Sequence, residues 1–107
     1  MTQYSPDCWV VIRVSGDNTH YRVLAGWSGG YTSGDSWKLN SGITHVTEGD
    51  NHYHFHGSSG SCYSCHKEAY GLRLSTIHIW NQLEDKYKEK VTMLPESSDW
   101  LDKDWNT

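Results

Sequence analysis

The sequence predicts an α+β fold, a strongly twisted antiparallel sheet of four or five strands with one C-terminal amphipathic helix of about four turns packed on it. Two observations carry this prediction. Through the first two thirds of the chain, β-branched and aromatic runs alternate with glycine and Asx turn residues. Near Ser75 the apolar period lengthens from two residues to between three and four.

Each element follows from its own residues. CWVVIRVS and THYRVLAGW are separated by Gly16, Asp17 and Asn18, which tolerate the positive φ of a tight turn, so they read as a hairpin. ITHVT and HYHFH, joined by Glu48, Gly49, Asp50 and Asn51, read as a second. In HYHFH, alternation puts His52, His54 and His56 on one face, with Tyr53 and Phe55 on the core face. Ile77, Trp80, Leu83, Tyr87 and Val91 then recur at helical spacing, with Ser75 as the expected N-cap. Glu84 and Lys88 form an i, i+4 pair, Lys88 and Lys90 suit the negative end of the helix dipole, and Pro95 ends the run. Leu72 and Leu74 also alternate, so LRLSTIHI has a second reading as a strand.

A chain of 107 residues forms one domain and hides only about two thirds of the surface its unfolded form exposes. Residues 1–94 are expected to form the compact body. Residues 95–107 form an acidic tail whose Trp100 and Trp105 dock on that body or on a partner subunit, and a homo-oligomer is expected. Ile, Leu and Val total 17 against 13 Trp and Tyr, so aromatic rings must carry much of the core or line a concave surface. The net charge is −4, and no basic run tracks a phosphate backbone, which argues against general nucleic-acid binding. The opening MTQYSPDCWVVIRV reads as neither signal peptide nor membrane span. Three cysteines are an odd set for a disulfide-stapled secreted domain, so the expected setting is the cytoplasm, with reduced thiols.

Coordinating side chains concentrate between His52 and His66. CYSCH matches the CxxCH haem-attachment motif with His66 as axial ligand, but such attachment normally needs export, so haem is not expected. Zinc is the metal candidate, with Cys62, Cys65 and His66 joined by one of His52, His54 or His56, His54 being the favoured fourth ligand. The absence of a second C-x-x-C pair, and the adjacency of Cys65 and His66, weigh against it. The bland alternative makes the cysteines small buried residues and the histidines a polar strand face.

Two polar, glycine-punctuated segments form the other constellation: GWSGGYTSGDSWKLNSGI (Gly26 to Ile43) and HGSSGSCYSCHK (His56 to Lys67). Glycine lets backbone approach a ligand, serines and asparagine add hydrogen bonds, and indoles offer flat faces for stacking. The ligand-binding candidates are Trp27, Tyr31, Asp35, Trp37, Lys38 and Asn40 from the first segment, with His56, Ser58, Ser59, Ser61 and Lys67 from the second. Together they suit a small planar anion such as a nucleotide, Lys38 or Lys67 neutralising a phosphate. Neither segment is a P-loop or a dinucleotide fingerprint, and hairpin turns would leave the same composition.

Catalytic signals are fewer. HVT (His45 to Thr47) and HGS (His56 to Ser58) resemble the paired H-x-[ST] elements of two-histidine phosphoesterases, a family that separates its two motifs by a much longer span. No G-x-S-x-G elbow occurs, and Cys8 or Cys65 with a histidine is the remaining nucleophile candidate. GWSGGYTSGDSWKLNSGI followed by HFHGSSGSCYSCHKEAYG, about half of the chain, resembles small uncharacterised proteins of tailed bacteriophages. That resemblance implies a short accessory protein in the host cytoplasm, acting stoichiometrically against host defence by inhibiting an effector or sequestering a nucleotide signal. The expected function is thus a non-enzymatic binding protein for a nucleotide-like molecule. An interaction module that inhibits a host protein, with or without zinc, stands second, and a small histidine-dependent phosphoesterase third.

Overall fold

The computed structural model describes residues 3–16, 19–27, 36–103 and 105. Its elements run β1 (Gln3–Tyr4), β2 (Cys8–Val14), β3 (His20–Trp27), β4 (Ser36–Leu39), β5 (Ile43–Glu48), β6 (His52–Gly57), β7 (Cys62–His66), α1 (Leu74–Tyr87) and β8 (Val91–Met93). The class is α+β with one C-terminal helix, as predicted. The strands, however, are divided between two four-stranded sheets. Sheet I has the order β1-β7-β6-β5, with β1 parallel to β7 and the other pairs antiparallel. Sheet II has the order β4-β3-β2-β8 and is antiparallel throughout. β1 of sheet I and β4 and β8 of sheet II are hidden in the sequence because they span only two, four and three residues, too few for a period to register.

Sheet II is the middle of three layers. Trp9, Val11, Tyr21, Val23 and Ala25 on one face pack against Ile43, Phe55, Tyr63 and Cys65 of sheet I. Val10, Ile12 and Leu24 on the other meet Leu72, Ile79, Trp80 and Leu83. A strand buried on both faces needs no polar alternation, which is why CWVVI is continuously apolar. The hairpins β2–β3 and β5–β6 form as predicted, the second closing at Glu48 and Tyr53. Asp17 and Asn18 of the first turn lie outside the described residues.

Aromatic rings fill the space between the sheets. Trp100 lies 5.7 Å from Trp9, 5.8 Å from Phe55 and 5.7 Å from Tyr70, and Trp105 meets Tyr21 edge-on at 5.3 Å. The tail therefore docks on the body of its own chain. Both indoles find ring partners within their own chain. Each buried indole removes roughly 150–250 Å² from water, a gross gain on the order of 4–6 kcal/mol, in a chain short of aliphatic residues.

The helix also departs from its sequence signature at both ends. It starts at Leu74 with Arg73 as N-cap, and the Thr76 hydroxyl accepts the Arg73 N–H at 3.0 Å, so Ser75 sits inside the first turn. The strand reading of LRLSTIHI does not hold. At the other end Lys88 takes φ +52°, a single 3-10 turn follows over Lys88–Lys90, and Val91 pairs with Val14 in sheet II. Val91 thus leaves the helical run before Pro95. Ile77 and Tyr87 face outward, whereas Thr76, Ile79, Trp80 and Leu83 face the sheet.

Candidate functional site

The cleft that gathers predicted residues lies between the free edges of the two sheets, where β1 of sheet I approaches β3 and β4 of sheet II. It encloses ≈ 540 Å³ and is lined by Gln3, Tyr4, Ser5, Trp27, Ser36, Trp37 and Lys38. That volume falls in the range of small-molecule sites. Trp27 ends β3, and its indole N–H donates to the Ser5 carbonyl at 2.9 Å, which ties the two edges together. Tyr4 meets Trp27 edge-on at 6.2 Å and leans on Tyr63 at 5.0 Å, so the floor is aromatic. Lys38 places its Nζ 5.2 Å above the Tyr4 ring. Trp37 also lines the cleft, with 47% of its surface in water, although its pairing with Gly26 puts it on the face of β4 opposite to Lys38. Three of the predicted ligand-binding residues, Trp27, Trp37 and Lys38, thus line the cleft. Tyr31 and Asp35 lie outside the described residues.

Serines of the second glycine segment meet the first segment elsewhere. Ser41 Oγ accepts from the Ser59 amide at 3.0 Å and from the Ser58 hydroxyl at 3.1 Å, and Ser59 and Ser61 hydroxyls lie 3.1 Å apart. Packing is tight at Gly57. A Cβ there would stand 3.1 Å from Ser41 Oγ and 3.4 Å from Asn40 Nδ2. Asn40 is 1% exposed, and its carboxamide oxygen accepts the Val23 N–H at 2.8 Å. Its Nδ2 finds no hydrogen-bond partner among the described residues. Asn40 is therefore part of the core, and Ser58, Ser59 and Ser61 form a surface hydroxyl cluster. Lys67 pairs with Glu48 and lies 5.1 Å from the Tyr53 ring. None of these lines the indole cleft.

The outer face of sheet I carries five of the seven histidines. Strand register puts His45 opposite His56 across β5 and β6, and His52 opposite His66 across β6 and β7. His45 and His56 stack with ring centroids 4.2 Å apart and planes within 4°. Thr44 donates its hydroxyl proton to the His56 carbonyl at 3.1 Å and therefore accepts from His45 Nδ1 at 3.2 Å, leaving the His45 Nε2 lone pair free. His56 Nε2 lies 3.3 Å from Thr47 Oγ1. Burial, then the neighbouring His45 and His54, hold His56 below the ordinary imidazole pKa. His54 Nδ1 is hydrogen-bonded to Ser64 Oγ at 2.7 Å. His66 Nδ1 accepts the Glu68 amide at 3.1 Å, which leaves the proton of neutral His66 on Nε2.

This geometry does not assemble the ligand set drawn from C-x-x-C spacing. Cys62 faces outward with Ser64 and His66, whereas Cys65 points into the core with Tyr63, as residues three apart on a strand must. Burial pushes the Cys65 thiol pKa well up, and the adjacent Cys62 adds to the shift; burial likewise raises Cys62, against a lowering hydrogen bond from Ser64. Burial thus disfavours the thiolate at both, and Cys65 is no ready nucleophile. Cys8 is buried on the helix side of sheet II, 3.9 Å from Thr76 Oγ1. No group of three or more His, Cys, Asp or Glu side chains is placed to hold a metal ion among the described residues.

Sequence reasoning missed Tyr4, which reaches the cleft through a parallel pairing of β1 with β7 some sixty residues away in the chain. It also left His45 unpaired with His56, although a hairpin closing at Glu48 and Tyr53 sets those two opposite each other. No helix is long and apolar enough to cross a membrane among the described residues. The chain matches no protein-family model, no curated protein and no solved structure.

Proposed function

We propose that this protein binds a small, flat, anionic molecule of nucleotide type in the cleft between β1 and β4 and holds it without turning it over. The observation that carries this reading is the convergence of exposed Trp37 with Trp27, Tyr4 and Lys38 around one opening. An indole left half in water, next to a lysine, offers a stacking face to a base and a charge to its phosphate. The floor needs no rearrangement, because Trp27 and Tyr4 are already fixed by Ser5 and Tyr63. The resemblance to small phage proteins supplies the setting, sequestration of a host nucleotide signal in the host cytoplasm.

A panel of mono-, di- and cyclic nucleotides, read by thermal shift and by tryptophan fluorescence, tests the proposal. Stacking contributes about 1–3 kcal/mol per ring, so Trp37→Ala should weaken binding roughly five- to more than a hundredfold. Lys38→Gln should cost affinity most at low ionic strength. The ligand should be recovered chemically unchanged on denaturation. If no nucleotide shifts the melting temperature while a host protein co-purifies in stoichiometric amount, inhibition of that protein takes the place of this reading.

A further inference from the structure

We infer that His45 and His56 are half of a zinc site that a second copy of this chain completes. The two imidazoles sit directly opposite on adjacent antiparallel strands, with ring centroids 4.2 Å apart. Each has one ring nitrogen engaged by a threonine hydroxyl, Nδ1 of His45 by Thr44 and Nε2 of His56 by Thr47. This is the outer-shell arrangement that fixes the tautomer and orientation of metal-binding histidines, and the other nitrogen of each ring makes no hydrogen bond among the described residues. His66 on the same face is different. Its Nδ1 is spent on the Glu68 amide, so its neutral form has no lone pair for a metal.

Zinc with imidazole ligands is four-coordinate and tetrahedral, with Zn–N distances of about 2.0–2.1 Å. To share one ion, the two parallel rings would have to turn so that their in-plane lone pairs converge. Two ligands are then still required, and no third residue of this chain converges on the pair among the described residues. The pair also lies where a second molecule can reach it. His45 is exposed on β5, the edge strand of sheet I, and the sheet–sheet core cluster lies on the opposite face of that sheet among the described residues. A two-fold apposition of these faces supplies two more imidazoles and closes a four-nitrogen site.

Light scattering during titration with zinc chloride tests the inference on the full chain. The mass should double at one zinc per two chains and revert with chelator. His45→Ala and His56→Ala, checked for an unchanged metal-free melting temperature, should stay monomeric and bind zinc at least about tenfold more weakly. The double variant His52→Ala/His66→Ala should still dimerise. An X-ray absorption spectrum of the zinc-loaded wild type, which does not depend on any variant folding, should show four nitrogen ligands. A mass that zinc leaves unchanged, one zinc per chain on a monomer, a sulfur ligand, or dimerisation that survives loss of either histidine would each overturn it.

Discussion

Replacing Trp100 by alanine should remove the central ring of the sheet–sheet core. Its indole is 3% exposed and lies within 6 Å of the Trp9, Phe55 and Tyr70 rings, with Trp105 stacked parallel at 6.4 Å. Burial of roughly 200 Å² corresponds to about 5 kcal/mol at 25 cal/mol/Å², and the alanine methyl and a compact unfolded state reduce that figure. Large-to-small changes at buried Trp and Phe cost about 3–5 kcal/mol, so a loss of about 4 kcal/mol is expected. Against a total stability of roughly 5–15 kcal/mol, the melting temperature should fall by roughly 15 °C or more. Guanidinium unfolding in the presence of chelator measures the loss, with Leu101→Ala as the control. Leu101 is 45% exposed, and its loss should stay within about 0.5 kcal/mol. Because Trp100 packs on its own chain, the midpoint should not depend on protein concentration. A loss below about 1 kcal/mol, or a midpoint that climbs with concentration, would refute the placement of the tail in the core.

Two further outcomes concern local features. Lys88 holds φ +52° and ψ −119°, a conformation suited to glycine, so Lys88→Gly should raise stability by about 1 kcal/mol in the same unfolding assay. Tyr70 accepts the Val11 N–H, donates to the Leu94 carbonyl, and has its pKa pushed up to about 12, chiefly by burial. Its unfolded value is about 10, so between about pH 10 and 12 the unfolded chain loses a proton that the folded one keeps. Stability should therefore decline with rising pH across that window. Tyr70→Phe should flatten the decline.

The long strands were legible because their signals are local. CWVVIRV and THYRVLAGW are runs too apolar for loops, and HYHFH alternates cleanly enough to assign Phe55 to the core and the histidines to the surface. What failed were elements defined by distant partners. β1 is a strand only because Gln3 and Tyr4 pair with Cys62 and Tyr63, and β8 only because Val91 meets Val14. Val91 happens to continue the helical period, so a pairing interaction in sheet II overrode it. Ile77 and Tyr87 fit an apolar stripe on paper but face water, because the helix turns Thr76 and Ile79 to the sheet. At the cleft, Trp27, Trp37 and Lys38 were recognisable from composition. Tyr4 was not, since nothing local marks it. The serines and Lys67 share the polar, glycine-rich character of a ligand loop, and in the structure they make hydroxyl contacts in a turn and an ion pair with Glu48, away from the indole cleft.

The most direct test of the cleft as a binding site is an NMR titration with adenosine monophosphate and its cyclic and diphosphate relatives, following the indole N–H signals of all six tryptophans. Trp27 and Trp37 line the opening, whereas Trp9, Trp100 and Trp105 are buried in the sheet–sheet core. Saturable shifts confined to Trp27 and Trp37, and weakened by Lys38→Gln, are the predicted result. Unmoved Trp27 and Trp37 signals up to millimolar nucleotide, or shifts that appear only at the other indoles, would contradict the account.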